Sequence, residues 1–311
     1  MAAYDPHKTD NLLVCTACGT QFPTADRASL PSCRICDDPR QFTPPAGQSF
    51  TTMAEVRRGH KNVFHPSTGG DERLTSIASE PKLAIGQRAV LIRTTAGNIL
   101  WDCLTLIDED TITHIKSLGG LRAIVISHPH YYSSHTEWAA AFDCPVYLRA
   151  EDREWTVQQS PKQVFWEGND VQPISIEGNE STALAIRLGG HFPGSQVFLF
   201  GGHLLVADTL VTTPAGLGSW ATDALGTPRI RPAGMNSFAF MWSIPNMIPL
   251  SGEEVFAMWS ILKHHDFTST HGAFVGTDIV AADVKQRVLE SMMIQTKFAG
   301  WARQEAWESV Y

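Results

Sequence analysis

The run Leu121–Ser127, "LRAIVIS", is apolar and rich in β-branched residues, and it stops at two histidines one residue apart, His128 and His130. A short continuous apolar run of this kind reads as a buried strand. Imidazoles placed straight after it therefore sit at the rim of a rigid sheet, where side chains can be held toward a common point. The residues that follow, "YYSS", include no carboxylate. How many metal ions the chain can hold depends on that missing acid.

Three more candidate ligands occupy similar places: His191 in "LGGHFPGS", Asp208 in "LLVADTL" and His271 in "TSTHGAF". Any one of them alone reads as a structural residue. Together with His128 and His130 they make a set of neutral imidazoles and one carboxylate, which suits zinc and also iron or manganese.

The pattern around these residues predicts a mixed fold. Strands are expected at "LAIGQRAVLIRT", "NILWDCL", "LRAIVIS", "PVYLR", "QPISIEG", "TALAIRL", "SQVFLF" and "HLLVAD", with a turn at Gly97-Asn98. "DEDTITHIKSLGG" has an acidic start, helical spacing of Ile112, Ile115 and Leu118, and a glycine stop. "SHTEWAAAFD", "SGEEVFAMWSILKHHD" and "DIVAADVKQRVLESMMIQTKFAG" also read as helices. Strands outnumber helices, which predicts an α/β fold of two sheets packed face to face with helices outside. Residues 212–249 break the pattern: rich in Gly and Pro, yet carrying Trp220, Phe238, Phe240 and Trp242. They form either a pocket wall or a loop packed on the outer helices.

A separate unit precedes this. Cys15, Cys18, Cys33 and Cys36 form C-x2-C-x14-C-x2-C within residues 11–45, a stretch with little other apolar material. It cannot build a core of its own, so a tetrathiolate metal is expected to hold it together. Residues 46–80 read as a connector with one short helix after Thr51, and residues 81–311 as the large domain. Cys103 and Cys144 read as small core residues. A net charge of −8 argues against nucleic acid or an anionic membrane as the main partner. No signal-peptide pattern or bilayer-length apolar run is seen, so a cytoplasmic address is the default. The oligomeric state is left open.

The order of these ligands resembles the metallo-β-lactamase superfamily over most of residues 81–280. Its signature is H-x-H-x-D-H after a buried strand, then a later Gly-His, an Asp in a G-D-T/S turn, and a His near the C-terminus. His128 and His130 match the first two histidines, His191 the third, Asp208 the carboxylate and His271 the last. The resemblance implies a four-layer αββα sandwich. Tyr132 and Ser133 stand where the family's acid and next histidine serve a second metal. One well-held zinc is therefore expected, bound by His128, His130, His191 and Asp208. Whether a second, weakly held ion uses Asp208 and His271, with His135 beside them, is left open; His135 reads rather as an exposed helix residue. Asp102, in "LWDC", reads as a supporting residue. The first module resembles the rubredoxin-like domain of rubrerythrins and, more loosely, a zinc ribbon, which leaves zinc or iron open; Asp37 stands where that domain has a glycine.

The chemistry that follows is metal-assisted hydrolysis of a small apolar ester, lactone, thioester or amide. Asp208 would orient the attacking water and His271 would carry a proton to the leaving group. Tyr132 either donates a hydrogen bond to the oxyanion or merely fills the vacated site. Phe192, Trp220, Phe240 and Trp242 are the expected apolar contacts of the substrate. Two rivals stand beside this reading: a mononuclear iron oxidoreductase like persulfide dioxygenase, and a non-catalytic metal-binding member.

Overall fold

The computed structural model describes residues 4–66, 70–174 and 183–310, with the side chains of 308–310 left aside. A seven-stranded sheet runs in the spatial order Lys61–Pro66, Leu74–Glu80, Arg88–Ile92, Ile99–Trp101, Ala123–Val125, Val146–Arg149, Gln163–Trp166. Its first four strands pair antiparallel and the rest parallel. The second sheet has six strands: Val171–Pro173, Leu184–Arg187, Gln196–Phe200, His203–Leu205, Ser269–His271 and Asp278–Val280.

Period-two alternation decides what each face meets. Val90, Ile92, Ile99, Trp101, Ala123 and Val125 point inward and pack on Ala185, Phe198, Phe200 and Leu205 of the second sheet. Trp101 stacks on Phe198 with ring centroids 5.7 Å apart. Their neighbours Ala89, Leu91, Leu100 and Ile124 point outward, beneath Glu109–Ser117 and His135–Phe142. Val197, Leu199 and Leu204 face the helices Gly252–Leu262 and Val284–Phe298. Each large side chain buried this way contributes about 1.5–3 kcal/mol. The layers are helix, sheet, sheet, helix, as the sequence suggested.

Local signals set the helix ends. Asp108 caps Glu109–Ser117 by accepting from the Thr111 amide, and Ser251 with Glu254 makes a full capping box for Gly252–Leu262.

Several expectations need correction. The connector holds the predicted helix, Met53–Gly59, but also the two outer strands of the first sheet. Gln163–Trp166 is a further strand. "DIVAADVK…" is not one helix: Asp278–Val280 forms the edge of the second sheet before Val284–Phe298 begins. The end of "QPISIEG" lies outside the described residues. The 212–249 segment divides: Phe238 and Phe240 are buried in the outer core, whereas Trp220 is only half-buried and donates to Ala215 O.

The cysteine module does not stand apart. Leu13–Cys15 pairs antiparallel with Phe50–Thr52, beyond the expected boundary at 45. Its apolar cluster leans on Trp155 and Val157 of the large domain. Gln21 N donates to Ser133 O at 3.2 Å, and Thr105 Oγ1 to Gly19 O at 2.8 Å. The module therefore sits against the loop that carries the histidine pair.

Candidate metal centres and the pocket beside them

His128 leaves the central strand in extended backbone, and a single 3-10 turn, Pro129–Tyr131, brings His130 to the same side. His191 arrives from the other sheet through Gly189 and Gly190, both at positive φ. A side chain at Gly190 would meet Leu250 Cδ1 at 2.6 Å, so only glycine fits this turn. Thr209 ties the turn to the Asp208 loop: its hydroxyl accepts from His191 N at 3.0 Å and donates to Gly189 O at 2.6 Å.

The result is one tight, buried group in which a ligand atom from each of His128, His130, His191 and Asp208 lies within 4.8 Å of the others. Asp208 Oδ2 is 3.4 Å from His128 Nε2, 3.8 Å from His130 Nδ1 and 3.7 Å from His191 Nε2. His191 Nδ1 donates to Trp242 O at 2.8 Å, which leaves the Nε2 lone pair facing inward. Ser127 Oγ does the same service for His128, 2.8 Å from Nδ1. Asp102 anchors Ser127 by accepting its amide at 2.7 Å. Asp102 fits its expected supporting place, and burial pushes its carboxyl up to about 7.

Protonation favours a metal. Burial pushes His130 down to about 4, and burial with the nearby His128 holds His191 well below its ordinary value. Burial opposes ionisation of Asp208, yet His128, His130 and His191 outweigh it and hold the carboxyl well below the usual range. Neutral imidazoles beside a carboxylate are the donors that zinc or iron requires. His128 Nε2 is buried and has no hydrogen-bond partner, so a cation there would satisfy it. The donor set fits one ion.

Among the described residues no second ligand group gathers beside the first. Tyr131, not Tyr132, reaches the site: its phenol donates to Asp208 Oδ1 at 2.9 Å and so occupies the oxygen that a second ion would use. Burial and the Asp208 charge hold that phenol well above its ordinary pKa, so it remains a donor. Tyr132 turns into the core beneath the helices. Ser133 Oγ accepts from Gln87. His135 is buried, not exposed, with Nδ1 donating to Tyr132 O and Nε2 2.8 Å from Gln163 Nε2. His271 is engaged elsewhere: Nδ1 is 3.0 Å from Asp278 Oδ1 and Nε2 3.1 Å from His203 Nδ1. The proton carrier and the tyrosine donor expected from sequence are thus outside the ligand group.

In the N-terminal module the Cys15 and Cys36 sulfurs are 3.6 Å apart, as are those of Cys18 and Cys33, and all four thiols are free and buried. A tetrahedron of ~2.3 Å metal–sulfur bonds spaces its sulfurs about 3.8 Å apart, so these thiols fit a closed zinc or iron site. Asp37 accepts from Ser32 Oγ and Gln48 Nε2, which braces the second knuckle.

A cavity of about 280 Å³ opens on Asp208, lined by Arg40, Phe42, Ile85, Pro245 and Phe274 among others. Of the four aromatics expected to touch substrate, none lines it. Phe192 is fully buried behind the ligands, 4.9 Å from the His130 ring. Phe240 is in the outer core, Trp220 lies elsewhere on the loop, and Trp242 lines a neighbouring cavity of about 850 Å³ that does not reach the ligands. Sequence reading missed Tyr131, Arg40 and Phe42. "YY" after the histidines offered the first; nothing local marked the others.

Comparison with known proteins agrees with this geometry. A family model described as "Metallo-beta-lactamase superfamily" matches residues 85–279. The uncharacterized protein YmaE of Bacillus subtilis (strain 168) is 36% identical over 269 residues, covering 84% of this chain and 88% of that protein. A solved structure of TMB-1 superposes with a TM-score of 0.51 at 11% identity, covering 77% of this chain and 99% of that chain. The chemotaxis sensor ODP, solved as a peroxy diiron species, gives 0.46 at 14% identity, covering 73% and 92%. The order and placement of His128, His130, His191 and Asp208, together with the family match over residues 85–279, establish that this chain belongs to the metallo-β-lactamase superfamily.

Proposed function

We propose that this protein is a hydrolase of a small acyl compound (an ester, lactone, thioester or amide) that works with one zinc ion held by His128, His130, His191 and Asp208. The observation that carries the reading is the donor set itself: inward-facing imidazole lone pairs and one carboxylate oxygen, beside a cavity that gives a substrate access. A zinc ion in such a set supplies Lewis acidity and makes hydroxide available near neutral pH, because it lowers the pKa of water toward ~7.

The chain's own residues do the rest. Trp242 O fixes the tautomer of His191 and Ser127 holds the His128 ring in place, so their donor atoms need no reorganisation. Tyr131 holds Asp208 by Oδ1 and leaves Oδ2 turned to the imidazoles as the fourth donor. Phe42, Ile85, Pro245 and Phe274 give the cavity beside Asp208 an apolar wall for the substrate.

The test is a panel of ester, lactone, thioester and β-lactam probes with and without chelator. Turnover that disappears with the chelator and returns with zinc is the expected result. Activity that returns only with iron, or oxygen uptake in place of hydrolysis, would select the oxidoreductase reading instead.

A further inference from the structure

The cavity beside Asp208 takes part of its wall from the cysteine module. Arg40 and Phe42 follow the ligand Cys36 by a few residues and line the cavity opposite Phe274 and Pro245 of the large domain. The segment is pinned from both sides. Arg40 donates twice to Asp38, from Nε and Nη2 at 2.7 Å each, and from Nη1 to His191 O at 3.0 Å. Its guanidinium lies 3.6 Å from the centroid of the Phe192 ring. Pro39 O accepts from Ser243 Oγ at 2.6 Å and Asn246 Nδ2 at 2.7 Å. Thr43 Oγ1 donates back to Cys36 O at 3.3 Å. A loop joined to the backbone of one metal ligand and to the knuckle of another site is built to hold a position.

What it holds is a ring in solvent. Phe42 is 51% exposed and Phe274 is 38% exposed, whereas Phe192, Phe198, Phe238 and Phe240 are fully buried. The two rings come from distant parts of the chain and share one cavity with Asp208. Scattered exposed apolar residues are ordinary; two that line one pocket beside a ligand carboxylate mark a binding surface.

We infer that Phe42 of the cysteine module and Phe274 of the large domain form an apolar slot that receives the acyl side of the substrate, so that the cysteine module sets substrate choice. The substrate class is a small acyl compound bearing one aromatic or branched apolar group next to the scissile carbonyl. A cavity of about 280 Å³ is at the low end of the ~300–1,000 Å³ typical of ligand pockets, which leaves room for one such group and not for a long chain. The inference takes the carbonyl from the hydrolase reading; the slot stands on geometry alone.

The test uses binding, so that it does not depend on turnover. The zinc-loaded full chain is titrated calorimetrically with phenylacetate and with acetate, which share a carboxylate and differ in the apolar group. Phenylacetate is expected to bind at least ~10-fold more tightly than acetate. Phe42→Ala and, separately, Phe274→Ala should each reduce that preference by ~3-fold or more, and Leu225→Ala, a 91% exposed loop residue, should keep it. Metal content is measured for every variant to show that both sites are filled. Equal binding of the two acids by the unmodified chain, or an unchanged preference in either phenylalanine variant, would overturn the slot. A preference that behaves as expected in a protein that hydrolyses none of the ester probes would support the slot and refute the hydrolase reading.

Discussion

The two candidate metal centres are built in opposite ways. The cysteine centre draws all its ligands from one short stretch, Cys15 to Cys36, and surrounds the ion position with four buried sulfurs. The histidine centre gathers His128, His130, His191 and Asp208 from the rims of two sheets and adjoins a cavity. A closed tetrathiolate has no place for substrate and acts by holding its loops together. A site with access and mixed donors can do chemistry. The contrast teaches that the two centres are joined through one segment: the residues after Cys36 line the cavity, and Arg40 donates to His191 O.

The largest effect expected is at the cysteine centre. Cys18→Ser or Cys33→Ser weakens a metal site that contributes on the order of 10 kcal/mol, more than the module's two-strand pairing and its bonds to the large domain can replace, so that module should loosen locally. Limited proteolysis would then cut within residues 11–45, and one of the two metal equivalents would be lost. Loss of the histidine-site ion with the module intact would break the comparison.

At the histidine centre, His128→Ala should lower turnover by more than ~100-fold, above the effect usual for residues that merely support a ligand. Tyr131→Phe is the finer probe. It frees Asp208 Oδ1 without touching a ligand, and zinc affinity at this centre should fall ~10-fold, whereas Tyr132→Phe should leave that affinity unchanged. Competition with a fluorescent chelator reads both. Equal affinities for the two variants would remove Tyr131 from the account.

A further effect, away from both centres, is on acid stability. Burial pushes His135 down to about 4 in the folded chain. The unfolded chain binds that proton below an ordinary pKa of about 6.5, so stability is full at neutral pH and is lost as pH falls from about 6.5 toward 4. Between pH 7 and 5 the loss is about 2 kcal/mol from this residue. His135→Gln, followed by urea unfolding at both pH values, should flatten that part of the profile. An unchanged slope would show that another group carries it.

Much of this was legible in the sequence, for reasons that differ by region. The CxxC pairs and the strand-terminal histidines are local patterns whose geometry follows from short-range backbone rules, and the structure brings each group together. The choice between Tyr131 and Tyr132 was not legible. It turns on a single 3-10 turn, which sets which of two adjacent, equally buried phenols reaches Asp208. The outer strands "KNVFHP" and "LTSIASE" alternate too weakly to be told from a connector, and "DIV" merges with the helix that follows. Arg40 and Phe42 sit in a Pro-rich stretch with no periodicity, and only the tertiary fold shows what they line. Phe240 was misjudged because an aromatic in an irregular segment reads the same whether it faces a pocket or the core.

The most direct test combines metal counting with turnover on the same samples. Unmodified protein and His128→Ala are each analysed for bound zinc and assayed against the ester and lactone probes. This account predicts two equivalents of zinc in the first and one in the second, with hydrolysis lost together with the missing ion. Hydrolysis that persists in His128→Ala with the histidine site empty would contradict it.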